Sequence, residues 1–249
     1  MKKLVCLLFI TLSFFASSQN EQKFEQGKEH YKEANYEAAI SSWESILESG
    51  EHSAALYFNL GNAYYRIDQI APSIYYYEKA LQLAPGDPEI KNNLAFAQNQ
   101  TIDIIEPLPK NLFSSWIEGT TKIFSFDNWA KTAVVFIIGF VLLFLAYYFS
   151  AAAMKKRLFF VGSFLSLFLA LGSLFFAYNN YAQVNNTNTA ILFASSSQVR
   201  SEPLERAELS FVLHEGTKVK IISEEDEWVR IKLADGKDGW MLKTDLKEL

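Results

Sequence analysis

The chain is poor in the residues that most often carry chemistry. Its 249 residues include one cysteine, Cys6, and three histidines, His30, His52 and His214. A lone cysteine excludes a disulfide framework within the chain, and Cys6 lies inside an apolar leader, too early for a lipid-attachment site. The histidines form no HExxH motif and no pair at metal-ligand spacing, and no glycine loop of the phosphate-cradling kind occurs. Basic residues are in deficit. Against 28 Asp and Glu stand 23 Lys and Arg, for a net charge of −5. No basic stripe with interleaved aromatics exists, which excludes nucleic acid as a partner. The acidic run Glu224, Glu225, Asp226 and Glu227 falls in a hairpin loop, where solvated charge is the ordinary reading and a divalent-ion site the other. The sequence therefore reads as a non-enzyme, with no catalytic residue, no cofactor and no metal.

Apolar residues are abundant, at 50% of the chain, with 21 Phe. They concentrate in blocks at 4–16, 132–150 and 158–178, whereas a soluble core would spread them periodically. Lys2 and Lys3, the run from Leu4 to Ala16 and the small residues Ala16 and Ser18 make a secretory signal peptide over 1–18. Cleavage after Ser18 or retention as an anchor both stay open, and either sends the next segment out of the cytoplasm.

Residues 20–98 repeat themselves at an offset of 34. The shift aligns Gly27 with Gly61, Tyr31 with Tyr65, Ala39 with Ser73, Trp43 with Tyr77 and Ile46 with Ala80. In the second copy Tyr57, Leu60, Gly61, Tyr64, Ser73, Tyr77, Ala80 and Pro85 stand at the spacing of a tetratricopeptide repeat, which this segment resembles. Small residues let paired helices approach while aromatics fill the gaps. The reading gives repeats at 20–53 and 54–87 and a capping helix at 88–100, five helices in all. In this repeat family the first helix of each hairpin lines a groove for an extended peptide or partner helix. The resemblance thus implies a groove of Phe24, Lys28, Tyr31 and Lys32 from the first copy, Phe58, Asn62, Tyr65 and Arg66 from the second, and Asn92 and Phe96 from the last helix. Such a mixture of cations, amides and aromatics suits a peptide carrying carboxylates. The alternative is that the cations are merely solvated and the aromatics are core.

Pro107 and Pro109 mark a linker, and 101–131 reads as linker plus a Trp- and Phe-rich amphipathic stretch. That stretch either lies at a membrane interface or packs on the repeats. Residues 132–150 and 158–178 each have about the 20 apolar residues needed to span a bilayer. Met154, Lys155, Lys156 and Arg157 make the connection at 151–157 basic, so it points to the cytoplasm and both flanks point outward. Neither span holds an ionisable residue, which argues against a transporter or channel. Gly162, Ser163, Ser166, Ala170, Gly172 and Ser173 offer a close-packing face, for the other span or for a partner's helix.

After an Asn-rich linker at 179–188 the period changes to two. Strands are expected at Thr189–Ala194, Gln198–Ser201, Phe211–Leu213, Lys218–Ser223, Trp228–Leu233 and Asp238–Leu242, with turns at Glu215-Gly216 and Asp235-Gly236. Val219, Ile221, Trp228, Val229, Ile231, Leu233 and Trp240 are the expected core. Val199-Arg200-Ser201-Glu202-Pro203, His214-Glu215-Gly216-Thr217, Trp228-Val229-Arg230-Ile231 and Gly239-Trp240 resemble the bacterial SH3-like (SH3b) family over 189–249. That resemblance implies a small barrel that binds cell-wall peptides or proteins.

The fold class expected is thus a multidomain membrane protein: an all-α tetratricopeptide solenoid, a two-helix transmembrane hairpin and a small all-β SH3-like barrel. The module order is similar to the BatE family of the Bacteroides aerotolerance (Bat) operon of Bacteroidetes. The resemblance implies an inner-membrane complex with von Willebrand factor A-domain proteins and other Bat-type membrane proteins, linked to aerotolerance or stress. From topology comes an adaptor with both modules in the periplasm. The alternative is a peptidoglycan sensor or anchor acting through the barrel.

Overall fold

A computed structural model describes residues 19–186 and 188–249, with backbone alone at 184–186. The expected signal peptide and Cys6 lie outside the described residues. Among the described residues the chain forms eight α-helices followed by seven strands, with a short 3-10 helix, Lys243–Asp245, before the last strand. The repeat helices, the segment from Asp87 to Pro107 and residues 189–249 form one compact unit, and Ala84–Gly86 with the segment from Leu108 to the start of the barrel form a second.

In the first unit α1 covers residues 19–32. It is followed by α2 (Tyr36–Glu48), α3 (Ala54–Arg66), α4 (Ile70–Leu83) and α5 (Pro88–Gln98). Local signals start the helices. Ser53 caps α3 by accepting from Leu56 N, and Asp87 caps α5 by accepting from Glu89 N and Ile90 N ahead of Pro88. The two hairpins share one design. Ala34 and Asp68, 34 positions apart, both turn the chain with positive φ, at 60° and 59°. Gly27 lies under the Trp43 indole and Gly61 under the Tyr77 ring, so close that an added Cβ would sit 2.3 Å and 2.6 Å from the nearest ring atoms. Trp43 and Tyr77 are each 1% exposed, and Ala39 and Ser73 are fully buried between the paired helices. The aromatic fills the space that the glycine vacates, and this contact is what the 34-residue period encodes.

The strands are β1 (Thr189–Leu192), β2 (Ser196–Arg200), β3 (Leu209–His214), β4 (Lys218–Glu225), β5 (Trp228–Lys232), β6 (Asp238–Leu242) and β7 (Leu246–Glu248). They form an antiparallel sheet in the order β3-β2-β6-β5-β4-β1-β7. Gly216 and Gly236 supply the positive φ of the expected turns, at 83° and 96°. One core of Ala190, Leu192, Val199, Leu213, Val219, Ile221, Val229, Ile231, Leu233 and Met241 lies on one face. Trp228 and Trp240 are not part of it. In a pleated strand alternate residues share a face. Since Val229 and Ile231 point inward, Trp228 must point out, and Met241 turns Trp240 out in the same way; both indoles are half-buried. The acidic run is also more ordered than expected: β4 continues to Glu225, and Asp226 makes the turn with φ 52°. Strand β7, absent from the sequence reading, pairs with β1.

The second unit consists of α6 (Leu112–Thr121), α7 (Phe126–Phe149) and α8 (Ala153–Asn186). Among the described residues, α7 and residues 153–183 of α8 are long and apolar enough to cross a membrane. Ser163, Ser166, Ala170, Ser173 and Asn180 are the buried positions of α8, spaced at threes, fours and their sum. That heptad-like stripe packs against α7. Ser166 Oγ donates to the Phe136 carbonyl at 2.7 Å, beside Gly139. The small residues therefore serve contact between the two spans, while Gly172 has open space around its Cα. Two boundaries differ from the sequence reading. Helix α8 begins at Ala153, so Met154–Arg157 are its first turn. It also runs through the Asn-rich stretch, where buried Asn180 donates to the Thr121 and Phe124 carbonyls at 3.1 and 3.0 Å. Those bonds tie the end of α6 to α8 and outweigh the weak helix propensity of asparagine.

Candidate binding groove

Helices α1, α3 and α5 place several expected groove residues around one hollow. Tyr31, Asn62, Tyr65, Arg66, Tyr77, Asn93 and Phe96 line a space of about 250 Å³. The floor is fixed by hydrogen bonds. Asn62 Oδ1 accepts from the Tyr77 hydroxyl at 2.6 Å and from Asn93 Nδ2 at 2.9 Å, which spans α3, α4 and α5. Burial pushes the Tyr77 hydroxyl well above its usual pKa, so it remains a neutral donor. On the walls, Gln100 Nε2 donates to the Tyr65 hydroxyl at 2.7 Å and Arg66 Nε donates to the Tyr31 hydroxyl at 3.3 Å. Phe96, 62% exposed, forms an apolar lip.

The remaining cationic side chains divide sharply. Lys28 Nζ pairs with Glu25 at 2.8 Å and Lys32 Nζ with Glu29 at 2.7 Å, each one turn away on α1. Arg66 pairs with no carboxylate among the described residues, and its terminal nitrogens remain available to a ligand. A guanidinium beside two phenols and an aromatic lip matches a carboxylate followed by an apolar side chain.

Of the ten residues expected from the sequence, Tyr31, Asn62, Tyr65, Arg66 and Phe96 meet at this hollow. Phe24 instead lines a smaller hollow of about 150 Å³ with Glu21, Ile46 and Leu56. Phe58 rests against the Tyr77 ring at 6.0 Å, and Asn92 is exposed away from the hollow. Two lining residues escaped the sequence reading. The repeat pattern marks Tyr77 as a packing position, although its hydroxyl reaches the floor. Asn93, rather than its neighbour Asn92, lines the hollow, because Asn93 and Phe96 are three apart and so share a helix face.

The histidines are engaged in local contacts. His52 Nδ1 shares a hydrogen bond with the Tyr57 hydroxyl at 2.8 Å, His214 meets Asp103, and His30 lies 4.0 Å from Glu33. No group of three or more His, Cys, Asp or Glu stands together as a metal site among the described residues.

Comparison with known families agrees with this geometry at two places. Residues 54–87 match the tetratricopeptide repeat, and residues 195–247 match the bacterial SH3 domain. The chain contains both modules. Both are folds whose usual work is binding, of proteins by the repeat and of cell-wall material by the bacterial SH3 domain. No curated protein matches the chain.

Proposed function

We propose that the protein is a non-catalytic inner-membrane adaptor, crossing the bilayer twice and holding its repeat groove and its bacterial SH3 domain together in the periplasm. The observation that carries this reading is the contact between Asp103, which precedes the two spans, and His214, which follows them: its carboxylate meets the His214 ring at 2.9 Å. Chain segments that touch after an even number of crossings must share one side of the bilayer. Met154–Arg157, at the hairpin tip, supports the cytoplasmic assignment of that tip. A signal peptide at 1–18 accords with it. Exposed Leu112, Phe113 and Trp116 on α6 suit a helix lying at the lipid surface just before the first span.

In this role Arg66, Tyr31, Tyr65 and Phe96 receive an acidic, partly apolar peptide of a partner protein. The module order supports a place in a Bat-type envelope complex with von Willebrand factor A-domain proteins. A photo-crosslinker at Phe96 in living cells tests the groove. One dominant adduct that disappears in Arg66→Ala is the expected result; unchanged adducts in that variant remove the groove from the account.

A second reading is favoured by the outward-facing Trp228 and Trp240, the latter flanked across the sheet by Arg200 and Arg230. Such an aromatic and cationic face suits peptidoglycan. Under this reading the full chain is retained on purified wall material and Trp240→Ala is released. Lack of retention by the full chain leaves the adaptor alone.

A further inference from the structure

The segment after the last repeat helix is a strap that the barrel holds as it would a peptide. Burial alternates along it: Thr101, Asp103 and Ile105 turn toward the protein, while Ile102 and Ile104 are 69% and 90% exposed. The inward residues each meet the barrel. The Thr101 methyl lies against Gly216, where an added Cβ would come within 2.8 Å of it. Asp103, with a side chain only 13% exposed, accepts from His214 N at 2.6 Å and from the Thr217 hydroxyl at 2.6 Å, and its other oxygen meets His214 Nδ1 at 2.9 Å. Ile105 packs on the barrel core.

The barrel holds the backbone of the receiving notch, and Ile70 and Ile74 of α4 close it beside Gly216. Gly216 N donates to the Leu192 carbonyl at 2.9 Å and Leu192 N donates to the Thr217 carbonyl at 3.0 Å, so β1 fixes the turn without help from the strap. The neighbouring cation is already committed, since Lys218 pairs with Glu78 of α4 at 2.7 Å. Other contacts join barrel and repeats independently of the strap. Lys247 Nζ stands 4.4 Å over the Tyr75 ring, and Tyr75 meets Phe193 edge-on. The strap can therefore leave its notch while the barrel stays docked.

We propose that the His214–Thr217 turn is a carboxylate-binding peptide site of the barrel, that residues 101–105 are its resident intramolecular ligand, and that a partner peptide bearing Asp with an aliphatic residue two positions later takes the same place when the strap is withdrawn. Alternating inward residues are the signature of extended-peptide recognition, with the carboxylate supplying charge-assisted bonds and the aliphatic side chain an apolar anchor. A tethered strap competes at an effective concentration on the order of millimolar, so the site is masked at rest.

The test uses the full chain in lipid nanodiscs and a fluorescent peptide with the sequence of residues 100–107. The acceptor is the Asp103→Ala, Ile105→Ala variant, which vacates the notch. The peptide is expected to bind this variant at least about tenfold more tightly than the unaltered chain, where the strap competes. A peptide with Ala in place of its Asp is expected to lose roughly ten- to a hundredfold. Equal binding to variant and unaltered chain, indifference to the Asp, or no binding to a variant with intact near-ultraviolet circular dichroism each overturns the proposal. Should the double variant lose that signal, Asp103→Asn serves as the acceptor and the same outcomes decide.

Discussion

Arg66→Ala should weaken partner capture far more than Lys28→Ala or Lys32→Ala, although all three cations belong to the first helices of the repeats. Each lysine already has a carboxylate one turn away, at 2.8 and 2.7 Å. Exposed pairs of this kind are worth only about 0.2–0.5 kcal/mol, but neither lysine lines the hollow that Arg66 lines. Among the described residues Arg66 makes a single side-chain hydrogen bond, to the Tyr31 hydroxyl. A charge-assisted hydrogen bond to a ligand contributes about 1.5–3 kcal/mol, which corresponds to roughly ten- to 150-fold in affinity. The assay is the yield of the Phe96 photo-adduct as partner expression is titrated in cells. Arg66→Ala should shift the half-saturation point by at least about tenfold. Lys28→Ala and Lys32→Ala should shift it less than about threefold. Equal losses in all three variants would refute the division of labour drawn from these ion pairs.

Four further outcomes follow from the geometry. Gly61→Val drives side-chain atoms into the root of the buried Tyr77 ring and should destabilise the repeats by about 1–3 kcal/mol. Gly119→Ala on α6, with open space around it, should stabilise that helix by roughly 0.5–1 kcal/mol; hydrogen exchange of α3, α4 and α6 in nanodiscs reads both. Burial works to raise the Asp103 carboxyl, but the bonds from His214 and Thr217 outweigh it and hold the group below its ordinary 3.8. A depressed carboxylate stabilises above its unfolded value and loses that contribution as pH falls through the folded one. The anisotropy of a dye on Ile104→Cys should thus stay constant from pH 8 to pH 5 and fall only below 3.8. Asn180→Ala removes both donors to the end of α6, at about 1 kcal/mol each, and faster amide exchange over 179–183 should report fraying of α8.

Repeats and barrel were legible because their signals are local and recur. Gly27 with Trp43 and Gly61 with Tyr77 are the same contact written twice, and turn glycines at 216 and 236 punctuate a period-two pattern. The tryptophans misled because size suggested core, while the alternation of Val229, Ile231 and Met241 had already assigned the inner face. The strap was illegible for a different reason. Thr101–Pro109 has the prolines of a linker, and its partner turn lies more than a hundred residues later, beyond any periodicity. Of the groove, the aromatic and amide positions could be read by analogy between repeats. The pairing of Lys28 and Lys32 with glutamates on their own helix depends on side-chain choices that the repeat pattern does not encode.

In the proposed topology the repeat groove and the barrel share one face of a bilayer whose other face meets the hairpin tip. Asn92, Lys155 and Lys232 are all exposed, so single-cysteine variants at these positions, in a Cys6→Ser background, can be treated with an impermeant maleimide on intact spheroplasts. Asn92→Cys and Lys232→Cys should react from outside, and Lys155→Cys should react only after permeabilisation. Reaction of Lys155→Cys on intact spheroplasts, or opposite behaviour of the other two, would contradict it.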